Sequence, residues 1–171
     1  MTIISVSHIH AHTQTPTIDY EIGGTFRVLS NGALLFNHKV RSMGVPLPGD
    51  DRISIPLTGE KNQMVWHTHP YHAGWWPSYE DITRDDKIHI LFTRYGAWVF
   101  KNGKGIVVRF DDWNAFHHYM LRLGNSFDVH AVYAEIQRFS AHVPLDITFV
   151  PYFFPRDAPR DNAILRQLVS I

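Results

Sequence analysis

Two short motifs in the middle of the chain carry residue types that bind metal ions. The first is His67-Thr68-His69-Pro70, and the second begins after a further seven residues, at Ser78. In an extended strand the side chains of His67 and His69 point to the same face, because strand side chains alternate. Pro70 cannot donate a ladder hydrogen bond, so it predicts the end of the strand and places both imidazoles at a sheet terminus.

The second motif, Ser78-Tyr79-Glu80-Asp81, is typical of a helix start. Ser78 is a good N-cap residue, and the two acids fall in the first turn, where the helix dipole favours negative charge. Asp81 can either close a capping box with Ser78 or join the two imidazoles as a ligand. Each motif alone is common, but two imidazoles, one carboxylate and an open fourth position together describe a catalytic zinc site.

The composition limits which kinds of site the chain can build. Its 171 residues include twelve histidines and no cysteine, which excludes thiolate zinc sites, iron–sulfur clusters, a cysteine nucleophile and a disulfide scaffold. Sixteen basic and sixteen acidic side chains give zero net charge, without the basic excess of a nucleic-acid-binding protein. Any metal must therefore be bound through nitrogen and oxygen.

The chain lacks the sequence signals of a membrane or secreted protein. No stretch approaches the ~20 apolar residues of a membrane span. The first residues, Met1-Thr2-Ile3-Ile4-Ser5-Val6, have no basic region typical of a signal peptide. We therefore expect a cytoplasmic protein with no membrane partner and no nucleic-acid partner.

The elements that position the two motifs are predicted by hydrophobic patterning and turn residues. Two Asn-Gly pairs predict hairpins, and Gly124 predicts the end of an amphipathic helix whose apolar face carries Trp113, Phe116, Met120 and Leu123. The predicted strands cover 24–29, 33–36, 51–56, 63–67, 88–93, 97–100, 106–110 and 145–154. The predicted helices cover 78–85, 111–123 and 162–169, with 129–139 ambiguous and loops at 12–19 and 44–51. The sum is one α+β domain over residues 1–171, with a mixed or mostly antiparallel sheet and flanking helices.

The two motifs at this spacing resemble the signature of the JAMM metalloproteases, the active branch of the MPN/JAB domain family, in its prokaryotic form. The family pattern also has an upstream glutamate followed by glycine and apolar residues, which Tyr20-Glu21-Ile22-Gly23-Gly24 matches. Residues 88–93 and 96–100 are similar to the strand pair after the motif. The resemblance covers 20–110 and implies a cytidine-deaminase-like mixed sheet with flanking helices; 111–171 is an unassigned C-terminal extension of the same domain.

The resemblance also implies a role for each residue. His67, His69 and Asp81 would hold one Zn²⁺ ion, with a catalytic water in the fourth position. Glu21 would be the general base that takes the proton of the water and hands it to the leaving amine. Ser78 would donate a hydrogen bond to the developing oxyanion. The competing base is Glu60, but its Gly-Glu-Lys-Asn turn is typical of a solvated loop charge.

These roles imply a function. The resemblance implies a deubiquitinase-like zinc metallo-isopeptidase or peptidase, which cleaves after the C-terminal glycine of a ubiquitin-like or sulfur-carrier protein. Two alternatives stay open: a non-catalytic MPN-like scaffold or binding module, and a zinc hydrolase of a small amide. The presence of every ligand favours the enzyme over the scaffold, since inactive members usually lack at least one.

The loop between the motifs contains two adjacent tryptophans, Trp75 and Trp76. Aromatic side chains often anchor interfaces, so this pair could form an exposed wall that binds the substrate. Packing of the indoles on the sheet edge is the equally supported alternative.

Two further groups of histidines stand outside the motifs. His8, His10 and His12 would share one face of a strand, either as a second metal site or, with better support, as exposed side chains. His117 and His118 fall in the amphipathic helix, where a surface position is expected.

Overall fold

A computed structural model of the chain describes residues 2–41, 64–83, 88–101, 107–124 and 126–151. The elements along these residues are β1 (Thr2–Ile4), α1 (Val6–Gln14), β2 (Ile22–Val28), β3 (Leu34–Arg41), β4 (Met64–Thr68), α2 (Tyr79–Ile82), β5 (Ile88–Phe92), β6 (Gly96–Lys101), α3 (Phe110–Leu123), α4 (Val129–His142) and β7 (Asp146–Pro151). They form a single mixed α+β domain, as the hydrophobic patterning predicts.

One sheet of seven strands organises the domain, in the order β1-β3-β2-β4-β5-β6-β7. The central pair β4 and β5 is parallel, and the neighbouring pairs are antiparallel. The crossover between β4 and β5 therefore has to return the chain to the same end of the sheet. That crossover contains the second motif, so the topology keeps it close to the end of β4.

The sheet is covered on both faces. On one face Ile9 of α1 packs with Phe36 and Trp66. On the other, Phe116 of α3 and Phe139 of α4 share a core with tryptophans from β6 and from the loop after β4. All five residues of β5 are buried, as expected for a strand with a core on each side.

The predicted hairpin around Asn31-Gly32 is confirmed. Strands β2 and β3 pair antiparallel from Ile22↔Arg41 to Val28↔Leu34. Gly32 has a φ of 82°, and the Asn31 side chain accepts a hydrogen bond from the backbone N–H of Ala33 at 2.9 Å. The turn therefore uses the left-handed conformation that glycine tolerates.

The N-terminal histidines lie on a helix, so their predicted strand is wrong. Ser5 caps α1 by accepting a hydrogen bond from the backbone N–H of His8 at 3.1 Å. A helix spreads a two-residue spacing around its axis, so the three imidazoles do not share one face. His8 is exposed while His10 and His12 are buried, which also corrects their expected exposure.

Two further predictions change at the C-terminal side. Residues 107–109 form no strand, and α3 begins at Phe110, directly before the two acids of its first turn. The ambiguous segment is helix α4, because Asp128 caps it by accepting the backbone N–H groups of His130 and Ala131. The predictions for 44–51, 51–56, Glu60 and 162–169 lie outside the described residues.

No helix among the described residues is long and apolar enough to cross a membrane.

The approach of β2 to β4 requires a glycine beside the first motif. Gly23 pairs with His67, and a Cβ at Gly23 would lie 2.8 Å from the carbonyl oxygen of Trp66 and 3.0 Å from the Cβ of His67. We predict that Gly23→Ala destabilises the protein by about 1–3 kcal/mol, since the two backbones must separate. Urea unfolding measures this loss of stability. An unchanged midpoint would show that β2 and β4 accommodate the added methyl group without cost.

Candidate metal centre

The structure brings together the side chains that the two motifs and the upstream glutamate contribute. Donor atoms of Glu21, His67 and His69 all lie within 4.8 Å of one another, a group that could hold a metal ion. Asp81 contacts both imidazoles: its Oδ1 lies 3.2 Å from Nε2 of His67, and its Oδ2 lies 3.2 Å from Nε2 of His69. Glu21 Oε1 lies 3.8 Å from Nε2 of His69.

The end of β4 places the two imidazoles as the alternation of strand side chains predicts. The strand ends at Thr68, two residues before the proline, and the ring centroids of His67 and His69 are 5.2 Å apart. The side chain of His67 is 6% exposed and that of His69 is 12% exposed. The two imidazoles are therefore largely sheltered from solvent.

Both imidazoles are oriented through their second nitrogen. Nδ1 of His69 lies 2.7 Å from the carbonyl oxygen of Gly74, which can only accept, so Nδ1 carries the proton. Nδ1 of His67 lies 2.5 Å from Nε2 of the buried His89. Both Nε2 atoms then face Asp81. Histidines that bind metals usually have their other ring nitrogen held in this way.

Asp81 serves the helix and the imidazoles together. Its Oδ2 accepts the backbone N–H of Ser78 at 2.9 Å, and Oγ of Ser78 accepts the backbone N–H of Asp81 at 3.1 Å, which completes a capping box. The two alternatives considered for Asp81 are therefore compatible. Ser78 lies beside the cluster as the N-cap of α2, and its hydroxyl hydrogen is not used by the bond that its oxygen accepts.

Trp75 and Trp76 do not form an exposed wall. Trp75 is 2% exposed and Trp76 is 9% exposed, and both belong to the core shared with α3 and α4. The alternative of packing holds because both indoles lie between the sheet and the helices. Their expected role in contacting a substrate is therefore corrected.

Indole hydrogen bonds hold this loop in place. Trp98 Nε1–H donates to the carbonyl oxygen of Trp75 at 2.8 Å, and Trp113 Nε1–H donates to that of Pro77 at 3.0 Å. Trp76 Nε1–H donates to Nδ1 of His117 at 3.0 Å, so this histidine is partly buried rather than on the surface as expected. The loop delivers both the Gly74 carbonyl and the N-cap of α2 to the site.

The backbone on both sides of Glu21 is also fixed. Thr68 Oγ1 accepts the backbone N–H of Ile22 at 3.0 Å and lies 3.4 Å from the Ile22 carbonyl oxygen. His12 Nε2 lies 2.9 Å from the carbonyl oxygen of Tyr20 and donates to it. The middle residue of the first motif and helix α1 therefore position Glu21, which is buried.

The two carboxyl groups have opposite electrostatic environments. Burial raises the pKa of Glu21 to about 8, and the charge of His69 offsets only part of this effect. Burial also acts on Asp81, but the charge and hydrogen bond of His67, followed by those of His69, hold its pKa well below the usual value. Burial lowers the pKa of His69, but hydrogen bonding to Asp81 and the charges of Asp81 and Glu21 raise it to about 9.

These shifts describe two chemically different acids. Asp81 is ionised at neutral pH and suits a cation, whereas the raised pKa of Glu21 suits a group that takes up and gives back a proton. Two atoms bound to one tetrahedral zinc at ~2.0–2.1 Å lie about 3.3 Å apart. The separations of Asp81 from the two imidazoles are both 3.2 Å, but they use different carboxylate oxygens, Oδ1 toward His67 and Oδ2 toward His69, and Glu21 lies 3.8 Å from His69.

Sequence reasoning missed three residues of this region: His12, Thr68 and His89. His89 interrupts the apolar run of β5, and a histidine flanked by β-forming apolar residues indicates a buried polar group that needs a partner. Thr68 lies inside the recognised motif but was assigned no task. Nothing local identifies His12, because its contact with Tyr20 depends on how α1 packs.

Comparisons of this chain with protein-family models, with curated proteins and with solved structures find no match. Membership of the JAMM family therefore stays a prediction.

The bonds of Thr68 predict a measurable cost. We expect Thr68→Val to lose about 1–3 kcal/mol of stability, because it leaves the buried N–H of Ile22 without its acceptor. Thr17→Val, the same change at an exposed position, is the control and should lie within about 0.5 kcal/mol of the wild type. Equal unfolding midpoints for Thr68→Val and Thr17→Val would show that the hydrogen bond from Ile22 to Thr68 does not stabilise the protein.

The raised pKa of His69 predicts how metal affinity depends on pH. Below pH 9 the imidazole holds a proton that a metal ion must displace, so affinity should rise with pH and level off above about 9. The expected slope between pH 6 and 8 is about tenfold per pH unit for each displaced proton. Calorimetric titration with Zn²⁺ in buffers of different ionisation enthalpy counts those protons, and a pH-independent affinity would refute the prediction.

Proposed function

We propose that the protein is a zinc-dependent hydrolase of the JAMM type, with His67, His69 and Asp81 as the residues that hold the ion. The observation that supports this most is the convergence of both Nε2 atoms on one carboxylate at 3.2 Å, with Glu21 beside them. The donor set is two nitrogens and one oxygen, with each imidazole oriented through Nδ1. Such a set fits catalytic zinc.

Each residue has a separate task in the proposed reaction. A bound zinc ion would supply a Lewis acid that polarises the scissile carbonyl and lowers the pKa of water to ~7. Glu21 accepts the proton of the attacking water at its carboxylate and passes it to the nitrogen of the leaving amine. Ser78 donates its hydroxyl hydrogen to the oxygen on which negative charge develops.

Geometry favours Asp81 over Glu21 as the third ligand. Asp81 contacts both imidazoles, and the backbone N–H of Ser78 donates to its Oδ2 in the helix cap, which holds the carboxylate beside them. Glu21 lies farther from His69, at 3.8 Å, and its backbone neighbours Tyr20 and Ile22 are held by hydrogen bonds. A carboxylate held slightly back from the donors is placed to exchange protons with a water among them.

The proposed substrate is the amide or isopeptide bond that follows the C-terminal glycine of a ubiquitin-like or sulfur-carrier protein. Support for this class comes from the resemblance of the two motifs and of the Glu21 segment to the JAMM pattern. The side chains of His69 and Asp81 are only 12% and 13% exposed, so a substrate that reaches them has to be narrow, as an extended peptide is.

Two substitutions separate metal binding from proton transfer. We expect Glu21→Gln to retain about one zinc per chain and to lose roughly 10²–10⁴-fold in cleavage rate, since only the proton carrier is removed. His67→Ala should lose both zinc and activity. His130→Ala, at an exposed position of α4, is the matched control and should keep both.

Metal content by elemental analysis and hydrolysis rates with and without a chelator measure these outcomes. Conjugates of a ubiquitin-like protein to a lysine amine are compared with small N-acyl amides. Cleavage of small amides alone would replace the proposed substrate class, and zinc binding without hydrolysis of either would favour a scaffold. Absence of zinc from the wild-type protein would contradict the proposal.

A further inference from the structure

We propose that His89 is a positioning residue that fixes the imidazole of His67 with its proton on Nδ1 and its Nε2 lone pair toward the cation site. The inference rests on the proposed metal site but assigns a task to a residue outside the two motifs. It depends on three observations: the contact itself, the burial of the ring and the strand register that holds it.

The contact is direct and uses Nδ1 of His67, the ring nitrogen that does not face the proposed cation site. Nε2 of His89 lies 2.5 Å from Nδ1 of His67, while Nε2 of His67 lies 3.2 Å from Asp81. The ring centroids of the two histidines are 4.7 Å apart at an interplanar angle of 80°. The two rings are therefore nearly perpendicular and meet at one nitrogen of each. The contact constrains the orientation of both rings as well as the distance between them.

The ring of His89 is held firmly. It is 0% exposed and stacks on Phe100 of β6, with centroids 4.6 Å apart and planes 20° apart. Its strand pairs in parallel with β4, so that Val65 lies opposite His89 and His67 opposite Leu91. His67 and His89 are thus diagonal neighbours on one face of the sheet, and the stacking on Phe100 holds the ring plane of His89.

The direction of the hydrogen bond between His67 and His89 follows from which ring nitrogen of His67 carries the proton. A metal ion takes the lone pair of Nε2, so the remaining proton of the neutral ring lies on Nδ1 and needs an acceptor. In the metal-free protein, a proton on Nδ1 of His67 has the same acceptor, Nε2 of His89. His89 therefore accepts at Nε2 in both states, and the ring of His67 keeps its orientation when metal enters.

The test compares three variants with the wild type, using Co²⁺ as the probe because its visible absorption reports coordination geometry. His89→Phe keeps an aromatic ring to stack on Phe100 and removes the acceptor. His89→Gln keeps a side-chain acceptor, and His130→Phe places the same ring at an exposed site. We expect His89→Phe to bind Co²⁺ about 10- to 100-fold more weakly with an altered spectrum. His89→Gln should recover most of the affinity, and His130→Phe should match the wild type.

A second readout does not depend on metal. Long-range ¹H–¹⁵N spectra of the metal-free wild type should show a proton on Nδ1 of His67, and an Nδ1 without a proton would overturn the proposal. Wild-type affinity in His89→Phe, or equal weakening in a folded His89→Gln, would also overturn it. If His89→Phe fails to fold, the Gln variant and the spectra decide. If the wild type binds no Co²⁺ or Zn²⁺, the proposed function fails while the spectra still judge the His67–His89 bond.

Discussion

The carboxylate of Asp81 is the interaction on which the arrangement of the site depends. One side chain closes the capping box of α2 and contacts Nε2 of both His67 and His69. A buried carboxylate is costly unless it is paired and hydrogen-bonded, and removal of a partner from such a pair typically costs about 3–5 kcal/mol. Asp81 therefore holds the start of α2 next to the end of β4. The loop between these two elements has to bring its ends together at that separation.

The tryptophans explain how that loop closes without a large enclosing domain. Indole N–H groups of Trp98 and Trp113 donate to carbonyl oxygens of the loop, and the loop's own Trp76 donates to His117. The bonds from Trp98 and Trp113 each satisfy a backbone carbonyl of the loop that has no helix or sheet partner. The aromatic rings also supply a core on the same side of the sheet. Residues 75–77 of the loop are thus part of the core, directly after the Gly74 carbonyl that orients His69.

The sequence predicts the metal-binding half of the site better than the residues that orient it. Ligand spacing is local: alternation places His67 and His69 together, and the N-cap pattern places Ser78 and Asp81 at a helix start. Most strands and the helix before Gly124 follow from period and turn residues. The roles of His12 and His89 depend on the packing of distant elements against β2 and β4, which no local pattern records.

The errors have a similar origin. The histidines of α1 alternate with small and apolar residues, so their pattern fits a strand, but Ser5 caps a helix and burial of Ile9 fixes its face. The prediction of an exposed wall at Trp75 and Trp76 assumed that the loop faces solvent. Two helices that follow later in the chain cover that loop. In both cases tertiary contacts outweigh local preference.

The residues to which we assign metal binding and proton transfer are both held in place by neighbouring elements. Both imidazoles are held at their own side-chain atoms, by Gly74 and by His89, so little ordering remains to be done when a cation enters. The backbone on both sides of Glu21 is held as well, through the hydrogen bonds of Tyr20 and Ile22. Residues from α1 and β4 therefore keep Glu21 beside His69.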